Sequence, residues 1–504
     1  MSLGIYIMEI RMRKAGVLLP VASLPGNYGI GSFSKEAYKF VDYLKMSGQS
    51  YWQILPLGPT GYGDSPYQSF STFAGNPYFI DIDTLIEEGL LRKSEVNRYD
   101  WGNDTSYIDY EKIWLSRFKI LKIAFNRSDI AHDAKYNKFV CENAFWLDDY
   151  ALYMAVKNSF DGVSFIEWDE DIRRRKPEAM KKYAKELKDD VEFYKFIQFK
   201  FNEQWIRLKE YANNNGIKII GDIPIYVAFD SADTWANPEL FKFDKEGLPT
   251  GVAGCPPDGF SATGQLWGNP LYDWKYHKKT GYAWWIERIR NCYKLYDVVR
   301  IDHFRGFDEY YNIPYGDPTA EFGKWEKGPG LGLFKALNKA LGEIDVIAED
   351  LGFLTDSVLK LVKDTGYPGM KVLQFAFDSR EDSDYLPHNY TQNCIVYTGT
   401  HDNNTLQGWY KDISKADKKF AIRYLNNENH DVSSIHWDYI RLAMGSVAKL
   451  CVIPMQDYLG LGEEARINTP ATLGNNWKWR MSNKALTKKL SKEIYQMTKM
   501  YARL

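Results

Sequence analysis

The chain has 504 residues, 45% of them hydrophobic, with 64 Lys and Arg against 66 Asp and Glu. This length and apolar content allow a large buried core, and the charge balance argues against a dedicated nucleic-acid binder, which carries a basic surplus. No stretch has the apolar length needed to cross a bilayer. The five cysteines (Cys141, Cys255, Cys292, Cys394, Cys451) form no CxxC pair and read as reduced thiols without a zinc pattern.

The opening MSLGIYIMEIRMRK is too short and too broken by charge for a signal peptide, so a cytoplasmic location is expected. The organised pattern begins near Lys14, which leaves the native start open. Near-continuous apolar runs then recur: Gly16–Pro20, Tyr51–Leu57, Ile217–Pro224, Val298–Asp302, Val346–Glu349, Val372–Phe377, Ile395–Thr398 and Leu450–Met455. Runs of this kind read as strands buried on both faces. Helical patterns lie among them at Ser34–Met46, Ala283–Leu295, Phe334–Leu341, Thr355–Asp364, Ala416–Leu425 and Trp437–Lys449. The alternation predicts an α/β fold with a parallel sheet, and eight units suggest a (β/α)8 TIM barrel.

Two intervals are too long for simple crossovers. Residues 80–215 hold the charged helical patterns Asn143–Asn158, Pro177–Leu187 and Val191–Asn213, read as a helical subdomain inserted in a single barrel domain spanning 1–504. Residues 227–280 are rich in Gly, Pro and Trp and read as an inserted loop subdomain carrying a lid. A further loop is expected over 456–480.

Barrel active sites lie at the C-terminal ends of strands. There the runs place Asp222, then Arg300, Asp302 and His303, then Glu349 and Asp350, then His401 and Asp402. Arg300 and Asp302 are two apart, so they share one side of a strand, where the guanidinium can offset the carboxylate. One acid at a strand end is usually a helix cap or a loop ion pair; four such ends point to an enzyme. Carboxylates suit glycoside chemistry, whose transition state is an oxocarbenium ion attacked by one carboxylate while another protonates the leaving oxygen. The high content of Trp, Tyr and Phe (16, 36 and 27) suits sugar faces, and suits a large core equally well.

Eight segments then carry a resemblance: GVLLPVASLPGNYGIG (16–31), YWQILPLGPTGYGDSPYQSFSTFAGNPY (51–78), GDIPIYV (221–227), PPDGFSATGQLWGNPLYDW (256–274), VRIDHFRGF (299–307), IAEDLG (347–352), YTGTHDNNT (397–405) and GNNWKWR (474–480). Together and in this order they resemble the amylomaltase, or 4-α-glucanotransferase, family of the α-amylase-like clan, over about 16–480. The resemblance implies Asp302 as nucleophile with Arg300 as its electrostatic partner, Glu349 as general acid and base, and Asp402 beside His401 as the residue that binds sugar hydroxyls and stabilises the distorted ring. It implies Asp222 in the same pocket, Tyr67 as an aromatic platform, Asp258, Gln265 and Trp267 on a substrate-covering loop, and Asn468 on an acceptor-side loop. Asp350, next to Glu349, is expected to point the other way along the strand and reads as structural, while His303, Trp267, Tyr67 and Gln265 each have an alternative reading as packing or bracing residues. Ala471 stands where the family often has Gly, and Ala resists a positive φ, so that loop is expected to differ in shape.

The activity implied is retaining transfer of an α-1,4-glucan segment to the 4-hydroxyl of glucose or of another glucan. No cofactor and no metal are expected, and the partners are α-1,4-glucans and glucose, with no nucleic acid, no membrane and a monomeric state. The rival readings are an α-amylase-type hydrolase, a glucan-binding barrel without activity and a metal-dependent barrel hydrolase.

Overall fold

The computed structural model describes residues 13–61, 63–257, 261–352, 354–427 and 432–504. Eight parallel strands form one sheet: β1 (Lys14–Leu18), β2 (Tyr51–Gln53), β3 (Lys218–Pro224), β6 (Val298–Asp302), β9 (Val346–Ala348), β10 (Gly369–Val372), β11 (Cys394–Tyr397) and β12 (Leu450–Pro454). Their order is β10-β11-β12-β1-β2-β3-β6-β9. Across the remaining seam the Ala348 N–H donates to the Pro368 carbonyl at 3.0 Å, which brings the sheet round to a nearly closed (β/α)8 barrel.

The apolar runs are continuous because both faces of each strand are buried. Residues Ile220, Val298, Ile347, Met370, Ile395, Leu450 and Val452 fill the barrel interior. Their neighbours Ile219, Val299, Val346, Val396, Cys451 and Ile453 pack outward under the helices. The interior face changes character along each strand: Ile220 is followed two residues on by Asp222, Val298 by Arg300 and Asp302, and Ile347 by Glu349. The strand period of two therefore carries ionisable groups up the inside of the barrel to its C-terminal mouth.

One expected strand is displaced. The run Val372–Phe377 is not the sixth strand; that strand is Gly369–Val372, and Leu373–Phe375 coils as a 3-10 turn. Leu373, Ala376 and Phe377 are apolar because they pack beneath the outer helices, so the run records burial rather than extension. Gly369 lacks the Cβ that would strike the Asp350 carboxylate, which lets Asp350 accept the Met370 N–H at 2.7 Å.

Between β2 and β3 the chain is helical, with Tyr110–Arg127, Ala134–Ser159, Pro177–Glu186 and Lys188–Asn214 the longest elements. The interval 227–280 contains more than loops. Its strands β4 (Gly251–Cys255) and β5 (Gln265–Pro270) pair antiparallel, and β4 continues onto β7 (Glu309–Pro314) and β8 (Lys324–Lys327) to make a second sheet in the order β5-β4-β7-β8. The pair β7–β8 lacks a long apolar run: β7 (EYYNIP) is interrupted by Asn312, and β8 (KWEK) is charged and mostly exposed. Val252, Tyr311, Ile313 and Ala320 form the small core of this sheet. Among the described residues no helix is long and apolar enough to cross a membrane.

The end of the barrel away from the mouth is tied by Arg503, which is fully buried. It donates to the carbonyls of Met444 (2.8 Å), Lys14 (3.0 Å), Ala448 (3.0 Å) and Ser446 (3.0 Å), joining the chain end to the starts of β1 and β12. Replacing it with Ala leaves four carbonyls short of a charged donor. Arg503→Ala is expected to lose about 2–4 kcal/mol of stability, read as a lower urea midpoint with an unchanged KM.

Candidate active site

The mouth is organised around Arg300, whose guanidinium is almost fully buried. One of its nitrogens, Nη1, bonds both oxygens of Asp222 at 2.7 and 2.6 Å, and Nη2 donates to Asp302 Oδ1 at 3.1 Å. A buried guanidinium stripped of its partner costs about 3–5 kcal/mol, so the two carboxylates hold Arg300 charged and still. Asp222 has no exposed surface and acts on the pocket from beneath, through Arg300 and through Tyr67, whose hydroxyl donates to Asp222 Oδ2 at 2.9 Å. The Tyr67 ring lies nearly parallel to His401 at 5.1 Å. Trp477 completes this aromatic group, 5.8 Å from Tyr67 and 5.9 Å from His401.

Asp302 ends β6, and His303 then turns the chain sharply with φ +55°. A left-handed conformation is uncommon for a residue with a side chain. Here it aims the His303 N–H at Glu349 Oε2, 2.7 Å away, while the Leu351 N–H binds Glu349 Oε1 at 2.8 Å. Glu349 is thus gripped by two backbone donors. Burial drives the His303 imidazole down to about 3, with Arg305 adding to the effect, so the ring is neutral. Its Nε2 is buried without a partner, and Trp267 stands edge-on to it at 4.8 Å. Trp267 in turn donates its indole N–H to Gln265 at 3.1 Å, so Gln265 braces the ring on β5.

Asp402 is held on three sides. His401 Nε2 lies 3.2 Å from its Oδ2, the Asn468 amide donates to Oδ1 at 2.7 Å, and Arg466 donates to its backbone carbonyl at 2.9 Å. The loop carrying Asn468 is therefore drawn against Asp402 itself. Ala471 in that loop adopts φ +60°, the left-handed form that its methyl group disfavours. Asp350 points away from the mouth and serves β10, as its bond to Met370 shows. Asp258 lies outside the described residues, as does the segment before Arg13 that bears on the native start.

The three carboxyl groups are set apart electrically. Burial raises Glu349, and the neighbouring Asp302 charge raises it further, above the usual carboxylate range, against Arg300 and the two N–H donors. Burial also raises Asp302, and the bonded Arg300 guanidinium opposes that rise and favours its ionised form. Asp402 goes the other way: removal from bulk water favours its acid form, but His401, the Asn468 amide and Arg300 prevail and hold it down to about 2. One protonated acid beside two carboxylates is the pattern that lets one group donate a proton while another attacks or stabilises positive charge.

The sequence reading did not assign roles to Trp477 or Arg466. Trp477 was visible within GNNWKWR; Arg466 carries no local signal, because its role depends on a loop folding back onto Asp402.

A family model described as 4-alpha-glucanotransferase matches residues 19–487. The chain is 50% identical over 485 residues to the 4-alpha-glucanotransferase of Clostridium butyricum, covering 96% of this chain and 99% of that protein. It is likewise 50% identical over 498 residues to the 4-alpha-glucanotransferase of Streptococcus pneumoniae serotype 4, covering 98% of each. The amylomaltase of Streptococcus agalactiae, solved in complex with acarbose, matches with a TM-score of 0.94 at 41% identity, covering 97% of this chain and 99% of that one. With its barrel, its ionised mouth and these relatives along nearly its whole length, the chain belongs to the 4-α-glucanotransferase family.

Proposed function

We propose that Asp302 is the nucleophile, Glu349 the general acid and base, and Asp402 the ring-stabilising carboxylate in a retaining transfer of α-1,4-glucan segments to the 4-hydroxyl of glucose or of another glucan. In the first step Asp302 attacks the anomeric carbon as Glu349 gives its proton to the leaving 4-oxygen. The bond to the leaving sugar breaks as the ester to Asp302 forms. In the second step an acceptor 4-hydroxyl loses its proton to Glu349, attacks the same carbon and releases Asp302. Two inversions restore the α configuration.

The observation that carries this reading is the geometry of the two acids: Asp302 accepts from the buried Arg300 guanidinium at 3.1 Å, while Glu349 is held at the same mouth by the His303 and Leu351 N–H groups at 2.7 and 2.8 Å. The half-buried Tyr67 ring, backed by His401 and Trp477, supplies a flat face for a sugar, with Asp402 at the side of His401. Gln265 and Trp267 cover the His303 side.

Incubation with maltotriose alone, followed by chromatography, tests the reading. Glucose and a ladder of longer oligosaccharides are expected to rise together, because each captured fragment extends another chain. Shorter sugars without longer ones would make water the acceptor and refute transfer.

A further inference from the structure

The strand β12 runs directly into the one-turn helix Met455–Tyr458, which contributes no group to the chemistry above. Its Asp457 is 2% exposed, yet it meets no cation among its hydrogen-bond partners. Instead Oδ2 accepts the Thr398 hydroxyl at 2.6 Å and Oδ1 accepts the Leu406 N–H at 2.8 Å. Thr398, itself fully buried, is the residue after β11. Leu406 opens the helix Leu406–Asp412, whose first N–H groups have no partner within the helix and favour an acceptor. The residues between these two anchors include His401 and Asp402.

The preceding residue does similar work on the other loop. Gln456 donates to the Ala465 carbonyl at 3.3 Å, on the segment that leads to Arg466 and Asn468, both bonded to Asp402. Adjacent side chains of one helical turn therefore fasten the two loops that meet at Asp402. Burying a carboxylate is unfavourable, and here burial pushes Asp457 up to about 6. An apolar side chain would fill the space without that cost but would link neither anchor.

We infer that Asp457 is a positioning residue for the transfer reaction: its carboxylate closes the 398–406 loop at both ends and so sets where Asp402 presents its own. The inference rests on the role of Asp402 proposed above.

The side-chain chemistry supplies a graded test. In Asp457→Asn the amide oxygen can face the Leu406 N–H while the NH2 faces the Thr398 oxygen, because a hydroxyl accepts as well as donates. Asp457→Ala loses both links. With maltotriose, Asp457→Ala is expected to lower kcat by about 10²-fold, the scale of a displacement of about 1 Å in a reacting group, with KM little changed, and Asp457→Asn is expected to recover most of the loss.

A general loss of structure would not produce the next result. In the double variant Asp457→Ala with Asp402→Ala, assayed with the activated donor α-maltosyl fluoride, turnover should match that of Asp402→Ala alone. Wild-type kcat in Asp457→Ala overturns the inference, as does a double variant showing the full product of the two single losses, since Asp457 would then act on something other than Asp402. Normal turnover in Asp402→Ala itself removes the role of Asp402, and this inference with it. Should Asp457→Ala fail to fold, Thr398→Val removes one link without touching the charge; a lowered kcat supports the inference and an unchanged one refutes it.

Discussion

Replacing Asp302 with Asn is expected to lower turnover on maltotriose by about 10⁶-fold, the scale of removing the attacking group from a hydrolase that forms a covalent intermediate. The amide has nearly the size of the carboxylate but cannot form the ester. The variant should fold, because Arg300 keeps both contacts to Asp222 and the Asn oxygen can still accept the bond made at 3.1 Å, so only the charge is lost. Its melting temperature should therefore stay close to that of the wild type, which separates lost chemistry from lost structure. Treating the wild-type enzyme with a donor such as α-maltosyl fluoride and measuring the mass of the intact protein should reveal an added glycosyl group. In Asp302→Asn that adduct should be absent. Near-normal transfer by this variant, or an adduct that maps to another side chain, would remove Asp302 from the role assigned to it.

Much of this site could be read from the chain itself, and the reason is strand geometry. Val298, Arg300 and Asp302 alternate with outward-facing residues, so the step from apolar to charged along one face is visible in the segment VVRID itself. Asp222 near the end of β3 and Glu349 just past β9 follow apolar residues in the same way, which is why the barrel mouth could be assembled from local patterns. What was hidden depends on contacts between distant segments. Nothing near Asp222 in the chain shows that it would lie wholly beneath Arg300 and Tyr67 rather than on the pocket wall. Arg466 and Asp457 reach the 398–406 loop from more than fifty residues away, and each looks locally like an ordinary loop or helix residue. The pair β7–β8 was missed for another reason: β8 (KWEK) is charged and exposed, and β7 (EYYNIP) is interrupted by Asn312 and ends in Pro314, so neither has the apolar run that marked the barrel strands.

Glu349→Ala is expected to cost about 10²–10⁴-fold in kcat on natural glucans, the usual weight of a general acid and base. Ala is a cleaner replacement than Gln, because both Glu349 oxygens accept backbone N–H groups and an amide nitrogen would face one of them. The loss should depend on the donor. A fluoride leaves without protonation, so α-maltosyl fluoride should still glycosylate Asp302, and the adduct should persist because the second step needs Glu349 as a base. The pH dependence has a definite sign. The first step requires protonated Glu349, so kcat/KM with maltotriose should fall as pH rises through its elevated pKa. Burial sets that elevation first and the Asp302 charge adds to it. When Asp302 becomes an ester its charge disappears, which lets Glu349 release its proton more readily and accept one from the incoming hydroxyl. The second step should therefore stay active to lower pH than the free-enzyme pKa alone would allow. An alkaline limb that survives unchanged in Glu349→Ala would show that another group donates the proton.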